Sequence, residues 1–305
     1  MVAVAAVTTA LLALALHRFA TPWQATIALT AVSHQLMWAA PFGVAFAALA
    51  RRWATAAVAL VACGLVGIVQ LPPQLRTPHP GRGRSLVILQ ANLAVGHADA
   101  SALTQLVRDN HVDLLATEEL TFAAEAALVR AGLADLLRYR YTAPLPDGGG
   151  GLGMWSRFRL SDTHNLPGYT AGVLTARVDV GFTFVAAHLS PPYKQPVHIW
   201  RREIGTLRGV LAGQPGDAPV LVAGDFNATV DHAQFRALLT GGYHDAADQA
   251  GAGYLPTYPA DRWWGPLIGI DHVLMRGGAV ATSAKTFSLR RSDHRALLVR
   301  VVLPR

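Results

Sequence analysis

Two side chains that could do chemistry, Asp225 and Asn227, follow an apolar run in the segment VAGDFNAT at residues 222–229. Gly224 stands just before them and is expected to let the backbone turn sharply. Asp, Asn and Gly are also the usual residues of surface turns, so this segment alone fits an ordinary turn as well as a catalytic site. The ends of the other apolar runs decide between the two interpretations.

Carboxylate, amide and histidine side chains recur where other apolar runs begin or end. They are Asn92, Glu118, Glu119, His188, Asp271, His272, Asp293 and His294. Each has a structural explanation of its own, such as a turn cap, a helix cap or a hydrogen-bonded core histidine. Taken singly, Asn92, Glu118 and His272 are best explained in this way.

As a set, these side chains indicate a catalytic centre. Strand ends along one edge of a sheet converge in space, and functional sites are commonly built there. The oxygen ligands of Asn92, Glu119 and Asp293 suit a hard divalent cation, Mg²⁺ or Mn²⁺. Two histidines, His188 and His294, accompany carboxylates in this pattern, which suits phosphate binding and proton transfer.

Short apolar runs alternate with amphipathic segments from Ser85 onward and would position these side chains. Strands are predicted at 85–92, 112–119, 152–156, 173–180, 182–189, 219–223, 270–275 and 296–303. Helices are predicted at 100–110 behind an Asp99 N-cap, after Thr121, and at 197–211. Because hairpin-like neighbours accompany the strand–helix alternation, we expect a mixed-sheet α/β or α+β domain.

The first 71 residues predict a membrane part. Its three apolar stretches are Met1–Leu16, Thr26–Ala50 and Trp53–Leu71. The second and third are long enough to cross a hydrocarbon layer of about 30 Å as helices, and the first is short, which gives two or three spans. Residues 72–84, rich in Pro, Gly and Arg, predict a linker to a domain at 85–305.

The charge and cysteine content exclude some functional classes. The formal net charge is +7, of which residues 1–80 carry +4, so residues 81–305 carry only +3. That domain therefore lacks the strongly basic surface of a typical nucleic-acid-binding protein. Cys63 is the only cysteine and lies in the apolar part, which excludes an intrachain disulfide and, in the larger part, thiol nucleophiles.

Seven motifs carry a resemblance to the endonuclease/exonuclease/phosphatase superfamily. In chain order they are QAN, LLATEE, GLGMWSR, VAAHLSPP, VAGDFNAT, IDHV and SDHRAL, within residues 84–305. The resemblance implies a four-layer sandwich of two packed mixed β-sheets flanked by helices, with the active site at one end. The apolar N-terminus makes the chain similar to the membrane-anchored branch that includes the teicoplanin-resistance protein VanJ. This implies a role in the cell envelope and in antibiotic resistance.

Carried over position by position, the resemblance implies a role for each matching residue. Asn92 and Glu119 would hold the catalytic metal, with Asp293 near it. Asp225 would be the general base that prepares the attacking water. Asn227 would position that water and the phosphate.

The remaining motif residues would act on the phosphate itself. His294 would stabilise the phosphoryl oxygens, Asp271 would orient its ring, and His188 would contact the phosphate from the other side. The chain departs from the family pattern at three positions. They are Glu118, where many members have Gln; Trp155, often aliphatic; and Glu203, often Gln.

The predicted activity is metal-assisted, in-line attack of water on phosphorus. The expected substrate is a lipid-linked phosphate or pyrophosphate, such as a polyprenyl carrier of cell-wall synthesis. Trp263 and Trp264, shortly before Asp271, are expected to bind an apolar tail or the lipid interface, with a core position as the expectation for one of the two. The alternatives are a membrane-tethered nuclease or phosphodiesterase acting on nucleic acid or nucleotides, and a catalytically inactive ligand-binding membrane protein.

Two observations give opposite orientations for the domain. The distribution of Arg residues around the apolar stretches favours a cytoplasmic domain, whereas the resemblance implies the outer face. Because the charge excess is small and long domains are translocated largely regardless of charge, we expect an integral cell-membrane protein with an extracytoplasmic domain. His34, inside the second stretch, is expected to hydrogen-bond to a neighbouring helix and is given no catalytic role.

Overall fold

The computed structural model describes residues 1–75, 83–146, 149–216 and 218–304, which form an N-terminal helical part and a two-sheet domain. The helices of the first part are α1 (Val2–Arg18), α2 (Gln24–Ala31), α3 (Ser33–Met37), α4 (Ala39–Leu49), α5 (Trp53–Gln70) and α6 (Pro72–Leu75). Helices α1, α4 and α5 pack side by side. The side chains buried between them are small, among them Ala10, Ala40 and Ala62, so the backbones can approach closely.

Within the described residues, α5 is the one helix that is both long and apolar enough to cross a membrane. Helix α2 and the segment Ser33–Leu49 meet the same test only when taken together, and a bend of 65° separates them. Helix α1 is apolar but shorter. By length and composition, the described part of the chain therefore has one candidate span, or two if the bent pair counts as one.

The second apolar stretch, Thr26–Ala50, is not one continuous helix. It breaks at Val32 and again at Trp38, where the backbone leaves ideal helical geometry. Pro41 explains the second break, because it has no N–H for the carbonyl four residues earlier and its ring would clash there. The stretch that was expected to span as one helix is therefore an elbow, with α2 turned away from α4.

The two-sheet domain begins at Arg84. The strands of the first sheet are, in spatial order, β11 (Val280–Ser288), β12 (Arg295–Leu303), β1 (Arg84–Asn92), β2 (Leu114–Glu118), β4 (Leu152–Ser156) and β3 (Tyr139–Ala143). Those of the second sheet are β5 (Leu160–Asn165), β6 (Gly172–Val178), β7 (Phe182–His188), β8 (Val220–Asp225), β10 (Asp271–Arg276) and β9 (His244–Asp245). Each sheet contains one parallel pair, β1–β2 and β7–β8, among antiparallel ones.

The domain's helices cover the outer faces of the two sheets, except the last one, whose Ala246 packs into the core between the sheets. They are α7 (Ala100–Asp109), α8 (Phe122–Arg130), α9 (Leu133–Leu136), α10 (Val197–Ala212), α11 (Ala233–Arg236) and α12 (Ala246–Gln249), with a 3-10 turn at Ala237–Leu239. Alternate residues of β1 face opposite ways: Ile88 enters the core between the sheets, and Leu89 packs under α7. Trp200 of α10 packs on the other sheet. The predicted sandwich of two packed mixed sheets flanked by helices is confirmed.

Most predicted elements are present, and the ones missed lie at sheet edges. The side chains of Asp99 and Thr121 cap α7 and α8 as expected. Strands β5 and β11 were missed because edge strands face water on more sides and carry sequences such as LSDTHN, without an apolar run. The predicted linker, residues 72–84, starts with the short helix α6 and ends in β1, and its residues 76–82 lie outside the described residues.

Candidate active site

The strand register aligns the chemically active residues at one end of the sandwich. In the second sheet, Asp225 at the end of β8 pairs with His188 of β7 on one side and with Asp271 of β10 on the other. In the first sheet, Asn92 at the end of β1 pairs with Glu118 at the end of β2. The directions of these strands therefore place the polar residues of both sheets at the same end of the sandwich.

Two amide side chains join the ends of the two sheets. Gln90 Nε2 donates to Glu118 Oε2 (2.7 Å) and to Asp271 Oδ1 (2.6 Å). Asn92 Nδ2 donates to Asp225 Oδ2 (3.1 Å), and its Oδ1 accepts from the backbone N–H of Ala94 (3.0 Å). The general-base candidate is therefore held from the opposite sheet.

A second hydrogen bond orients the candidate phosphate-binding histidine. His294 Nδ1 lies 2.9 Å from Asp271 Oδ2, and His294 Nε2 lies 3.8 Å from Asp225 Oδ2. Carboxylate oxygens of Asp225 and Asp271 and one ring nitrogen of His294 all lie within 4.8 Å of one another. This arrangement aims the free ring nitrogen at the space in front of Asp225.

Burial and mutual charge shift the pKa values of this group in opposite directions. Burial and the charge of Asp271 raise the pKa of Asp225 to about 7. Burial alone would lower the pKa of His294, but the charge and hydrogen bond of Asp271 outweigh it and raise that pKa to about 10. Burial lowers the pKa of His188 to about 3. At neutral pH the site thus combines a cationic His294 with a neutral His188.

A cavity in front of these strand ends contains most of the predicted site. Its walls include Val95, Glu119, Gly149, Gly150, Thr170, Ala171, His188, Ser190, Pro191, Tyr193, Lys194, Gln195, Asp225, Asn227, Tyr258, Asp293 and His294. Of the predicted site residues, Asn92 and Asp271 lie behind the wall and act on it through hydrogen bonds, and Trp263 and Trp264 are not among the residues that line the cavity. The catalytic roles assigned to all of these residues remain predictions.

The two neighbouring glutamates occupy different environments. Glu119 lines the cavity and accepts from the N–H of Val95 through Oε2 (2.6 Å). Glu118 is fully buried behind it, and burial together with the charge of Asp271 raises its pKa well above the usual range. Burial and the neighbouring carboxylates therefore favour the protonated form of Glu118, whose shape is close to that of the Gln that its position often holds.

Three residues of the cavity wall, Val95 with a φ of 54° among them, adopt a left-handed backbone that non-glycine residues rarely use. Glu119 has a φ of 54° and Asn227 a φ of 48°. Asn tolerates this region, whereas for Glu it is strained. Such strain persists where the surroundings enforce it, typically at functional sites. Here it turns Glu119 out of the line of β2 and into the cavity.

Gly224 is needed for a reason other than the predicted turn. It lies inside β8, and a Cβ at this position would collide with the carbonyl oxygen of Ala187 on β7. The expectation of a sharp turn at Gly224 is therefore wrong. The missing side chain lets β7 and β8 approach closely, which brings His188 beside Asp225.

Three further expectations concern residues near the site. Trp263 and Trp264 are 92% and 49% exposed and pack edge-to-face on each other, so the expectation that one of them is a core residue is wrong. His272 hydrogen-bonds to Asp245 and to the carbonyl of Ala228, which fits the structural role expected for it.

The ring of His34, expected to hydrogen-bond to a neighbouring helix, stacks on Tyr254 of the two-sheet domain at 4.0 Å. The backbone carbonyl of His34 accepts from Gln70 of α5.

Sequence reasoning missed four residues that shape the site. Gln90 belongs to the QAN motif but received no role, although it bridges the sheets. Tyr258 packs on His294 with ring centroids 4.9 Å apart, and its hydroxyl lies 3.4 Å from that of Tyr193. Lys194 adds a cation to the wall. The neighbourhood of the HLS motif, SPPYKQP, was the signal for Tyr193 and Lys194.

Glu203 departs from the family pattern for a structural reason. Its buried carboxylate accepts from the N–H and hydroxyl groups of Thr170 and Ser190. Ser190 and Thr170 both line the cavity. An acceptor-only side chain with two oxygens satisfies all four donors, so Glu203 stabilises the loops below the cavity.

The donor set fits a hard divalent cation. Glu119 and Asp293 face the cavity with oxygen atoms, which Mg²⁺ and Mn²⁺ prefer. Burial raises the pKa of Glu119 as it does that of Asp225, because several carboxylates share one poorly hydrated space. A cation would relieve this repulsion.

The fold is similar to several solved structures. D. rerio TDP2 in complex with a single-strand DNA product has a TM-score of 0.60 at 17% identity, covering 72% of this chain and 99% of that chain. Mannosyl-6-phosphatase from Bacteroides thetaiotaomicron has a TM-score of 0.55 at 14% identity, covering 72% and 100%. An endonuclease/exonuclease/phosphatase from Beutenbergia cavernae has a TM-score of 0.59 at 19% identity, covering 72% of each. At these identities the likeness concerns the fold.

The sequence itself also matches a family model. No curated protein matches the chain significantly. Residues 89–294, from β1 to the cationic histidine of the cavity, match the Endonuclease/Exonuclease/phosphatase family. This match covers more than half of the chain and contains both sheets' functional ends. The chain belongs to the endonuclease/exonuclease/phosphatase family.

Proposed function

We propose that this chain is a membrane-anchored, divalent-metal-dependent phosphoesterase that hydrolyses a lipid-linked phosphate or pyrophosphate, such as a polyprenyl carrier. Its family supports hydrolysis of phosphate esters. The single observation that carries the lipid assignment is the position of α2. This apolar helix lies against the catalytic cavity, where Gln24 Nε2 is 3.4 Å from the carbonyl oxygen of Tyr193, a cavity residue.

The chemistry assigned to the cavity starts at Asp225. Its raised pKa, about 7, lies near the working pH, which is optimal for accepting a proton from the attacking water. The backbone N–H of Asn227 donates to Asp225 Oδ1 (2.8 Å) and holds the base, while its side-chain amide donates to the carbonyl of Leu189 (2.8 Å). The product of this step is a protonated Asp225.

Two histidines and a metal complete the mechanism. The cationic His294, held by Asp271, offsets charge that develops on the phosphoryl oxygens. The neutral His188 can donate a hydrogen bond from the other side. A divalent cation bound by Asn92, Glu119 and Asp293, or by a subset of them, would supply Lewis-acid activation of the phosphoryl group.

The charge distribution argues for a lipid over a nucleic acid. The domain carries only +3, and a nuclease needs cations along a track of phosphates. A membrane tether also confines enzyme and substrate to one thin layer, which raises their effective concentration. Exposed Trp263 and Trp264 add aromatic rings of the kind that rest at lipid interfaces.

The test compares initial rates of the full chain in detergent micelles with Mg²⁺. The substrates are a polyprenyl pyrophosphate, a phospholipid, and single- and double-stranded DNA. We expect the polyprenyl substrate to be fastest, with loss of activity on chelation and with Asp225→Asn. Faster cleavage of DNA would overturn the proposal in favour of a nuclease, and no turnover of any phosphate ester would favour the inactive ligand-binding alternative.

The proposed cellular location of the domain is based on the resemblance to the VanJ-like branch. We place the catalytic domain outside the cytoplasm, where a polyprenyl cell-wall carrier would present its phosphate after delivering its cargo. Alkaline phosphatase and GFP fused at the C-terminus test the orientation. An active phosphatase fusion and a dark GFP fusion are expected, and the reverse pair would place the domain in the cytoplasm.

A further inference from the structure

Helix α2 is docked on the catalytic domain next to the active site. Ile27 is buried in the same apolar cluster as Trp200 and Phe226 of the domain. The ring of His232 lies with Nε2 3.1 Å from the carbonyl oxygen of Ile27, while its Nδ1 accepts from the N–H of Thr229. Burial lowers the pKa of His232 to about 4, so this contact is made by a neutral ring. The helix is thus part of the wall around the site.

A narrow groove separates the rest of α2 from the domain. One side is formed by Ile27, Ala28 and Ala31 of α2, and the other by Pro192, Ile268 and Ile270. The small side chains of the two alanines leave the space open, and Ala28 is exposed, so the groove opens to the outside of the protein. Its lining is almost wholly hydrocarbon.

The groove adjoins the catalytic cavity. Tyr193 and Asn227 line both spaces. Asn227 donates to Asp225, the candidate base, by way of its backbone N–H. A molecule with its phosphorus in front of Asp225 therefore has an apolar exit that runs past Asn227 and Tyr193 and along α2.

The groove lies between the apolar helical part and the two-sheet domain. The base of the loop that carries Trp263 and Trp264 is tied to α3, because the side chain of Gln35 donates to the carbonyl of Leu267. A polar ligand in the groove would lose hydrogen bonds to water without replacement, whereas a hydrocarbon chain gains from leaving water.

We propose that this groove binds the hydrocarbon chain of a lipid phosphate next to the headgroup, so that α2 acts as a substrate-binding element of the enzyme. The inference rests on the proposed function for the identity of the headgroup. The occupant is one chain, because the groove is bounded by a single helix on one side and by a single layer of side chains on the other. Helix α2 then selects substrates by the length of their apolar chain.

The test fills the groove at Ala28. Ala28→Phe is compared with Ala25→Phe, an exposed position on the same helix outside the groove lining. For each full-length variant, kcat/KM is measured on phosphate esters of increasing chain length. Each methylene group removed from water raises the affinity about fourfold. If the Phe side chain displaces two methylene groups of the substrate from the groove, the ratio of long-chain to short-chain kcat/KM should fall at least about tenfold in Ala28→Phe. Ala25→Phe should keep the wild-type ratio.

A binding measurement separates this inference from the proposed function. Calorimetry with a non-hydrolysable long-chain alkyl phosphonate is run on wild type and both variants. Binding to the wild type, together with binding at least about tenfold weaker in Ala28→Phe alone, would show that the groove binds the apolar chain. If no phosphate ester is hydrolysed in that case, the proposed activity is wrong while the inference about the groove stands. An unchanged ratio and unchanged binding in Ala28→Phe, with circular dichroism confirming its fold, would overturn the inference. So would equal losses in both variants.

Discussion

The helical part and the two-sheet domain place large and small side chains in opposite ways. In the domain, bulky groups such as Trp155, Phe182 and Phe184 are fully buried. In the helical part, the buried positions are mostly alanines, while Phe42, Leu60 and other large apolar side chains face outward. An aqueous domain gains stability by hiding large apolar groups, whereas helices in lipid gain mainly from close packing of small ones.

This difference in side-chain placement indicates that the helical part and the two-sheet domain suit different surroundings. An outward face made of Leu12, Val61, Ile68 and similar residues would be costly in water over so large an area. Such a surface is matched by hydrocarbon, which supports a membrane for the helical part and water for the domain. Each of the following predictions concerns substitutions in one of these two regions or at their junction.

The largest expected effect is on catalysis in the domain. Asp225→Asn and His294→Ala should each lower turnover at least ~100-fold, because they remove the proposed base and the phosphoryl-stabilising cation. Initial rates on the preferred phosphate ester measure this, with Asp109→Asn on the exposed face of α7 as the matched control. Near-normal rates in a folded Asp225→Asn protein would contradict the assignment.

The two neighbouring glutamates should respond differently. Glu119→Ala should also cost at least ~100-fold, because it removes an oxygen ligand from the cavity wall. Glu118→Gln should be much milder, because Glu118 is buried behind the cavity wall and its Oε2 contact with Gln90 has a counterpart in Gln. Both effects are measured as initial rates over a Mg²⁺ titration. Equal losses of activity in the two variants would mean that Glu118, and not Glu119, is the metal ligand.

The helical part should be sensitive to added side-chain volume where its helices α1 and α4 meet. A Cβ on Gly43 would lie 2.8 Å from Val7 Cγ2, so Gly43→Leu should destabilise the bundle by about 1–3 kcal/mol. Gly64→Leu is the control, because nothing lies within 4 Å of its Cβ position. Thermal unfolding in detergent compares them. Equal midpoints would show that α1 and α4 do not pack as described.

The smallest expected effect lies at the junction of the two regions. Replacing Trp263 and Trp264 together by Ala should slow hydrolysis of a polyprenyl pyrophosphate about threefold to tenfold and spare a small soluble ester. Trp53→Ala is the control, since it begins α5, some 27 Å along the helix from the end that meets the domain. Equal slowing of both substrates would assign the tryptophans to the fold instead of to lipid contact.

The local sequence pattern was sufficient to predict most of the strands and longer helices of the two-sheet domain. The continuous apolar run of β1 and the capping side chains Asp99 and Thr121 are local features of the chain, so these elements could be predicted. The breaks at Val32 and Trp38 were missed because hydropathy is averaged over a window and does not register a local change in the backbone, such as the hydrogen bond that Pro41 removes. The tryptophan pair was misjudged for a similar reason: composition does not tell which side of a loop faces water.

The sequence by itself determined which residues are the candidates for the chemistry, since strand ends, motif order and residue types are local properties. It also determined that an apolar region precedes the domain. Only the tertiary structure decided that Glu118 is buried while Glu119 enters the cavity, because a left-handed backbone at Glu119 rotates one carboxylate away from the other. It also decided that α2 lies beside Tyr193, a contact between residues 169 positions apart. Such contacts depend on how whole sheets and helices pack, which no local pattern encodes.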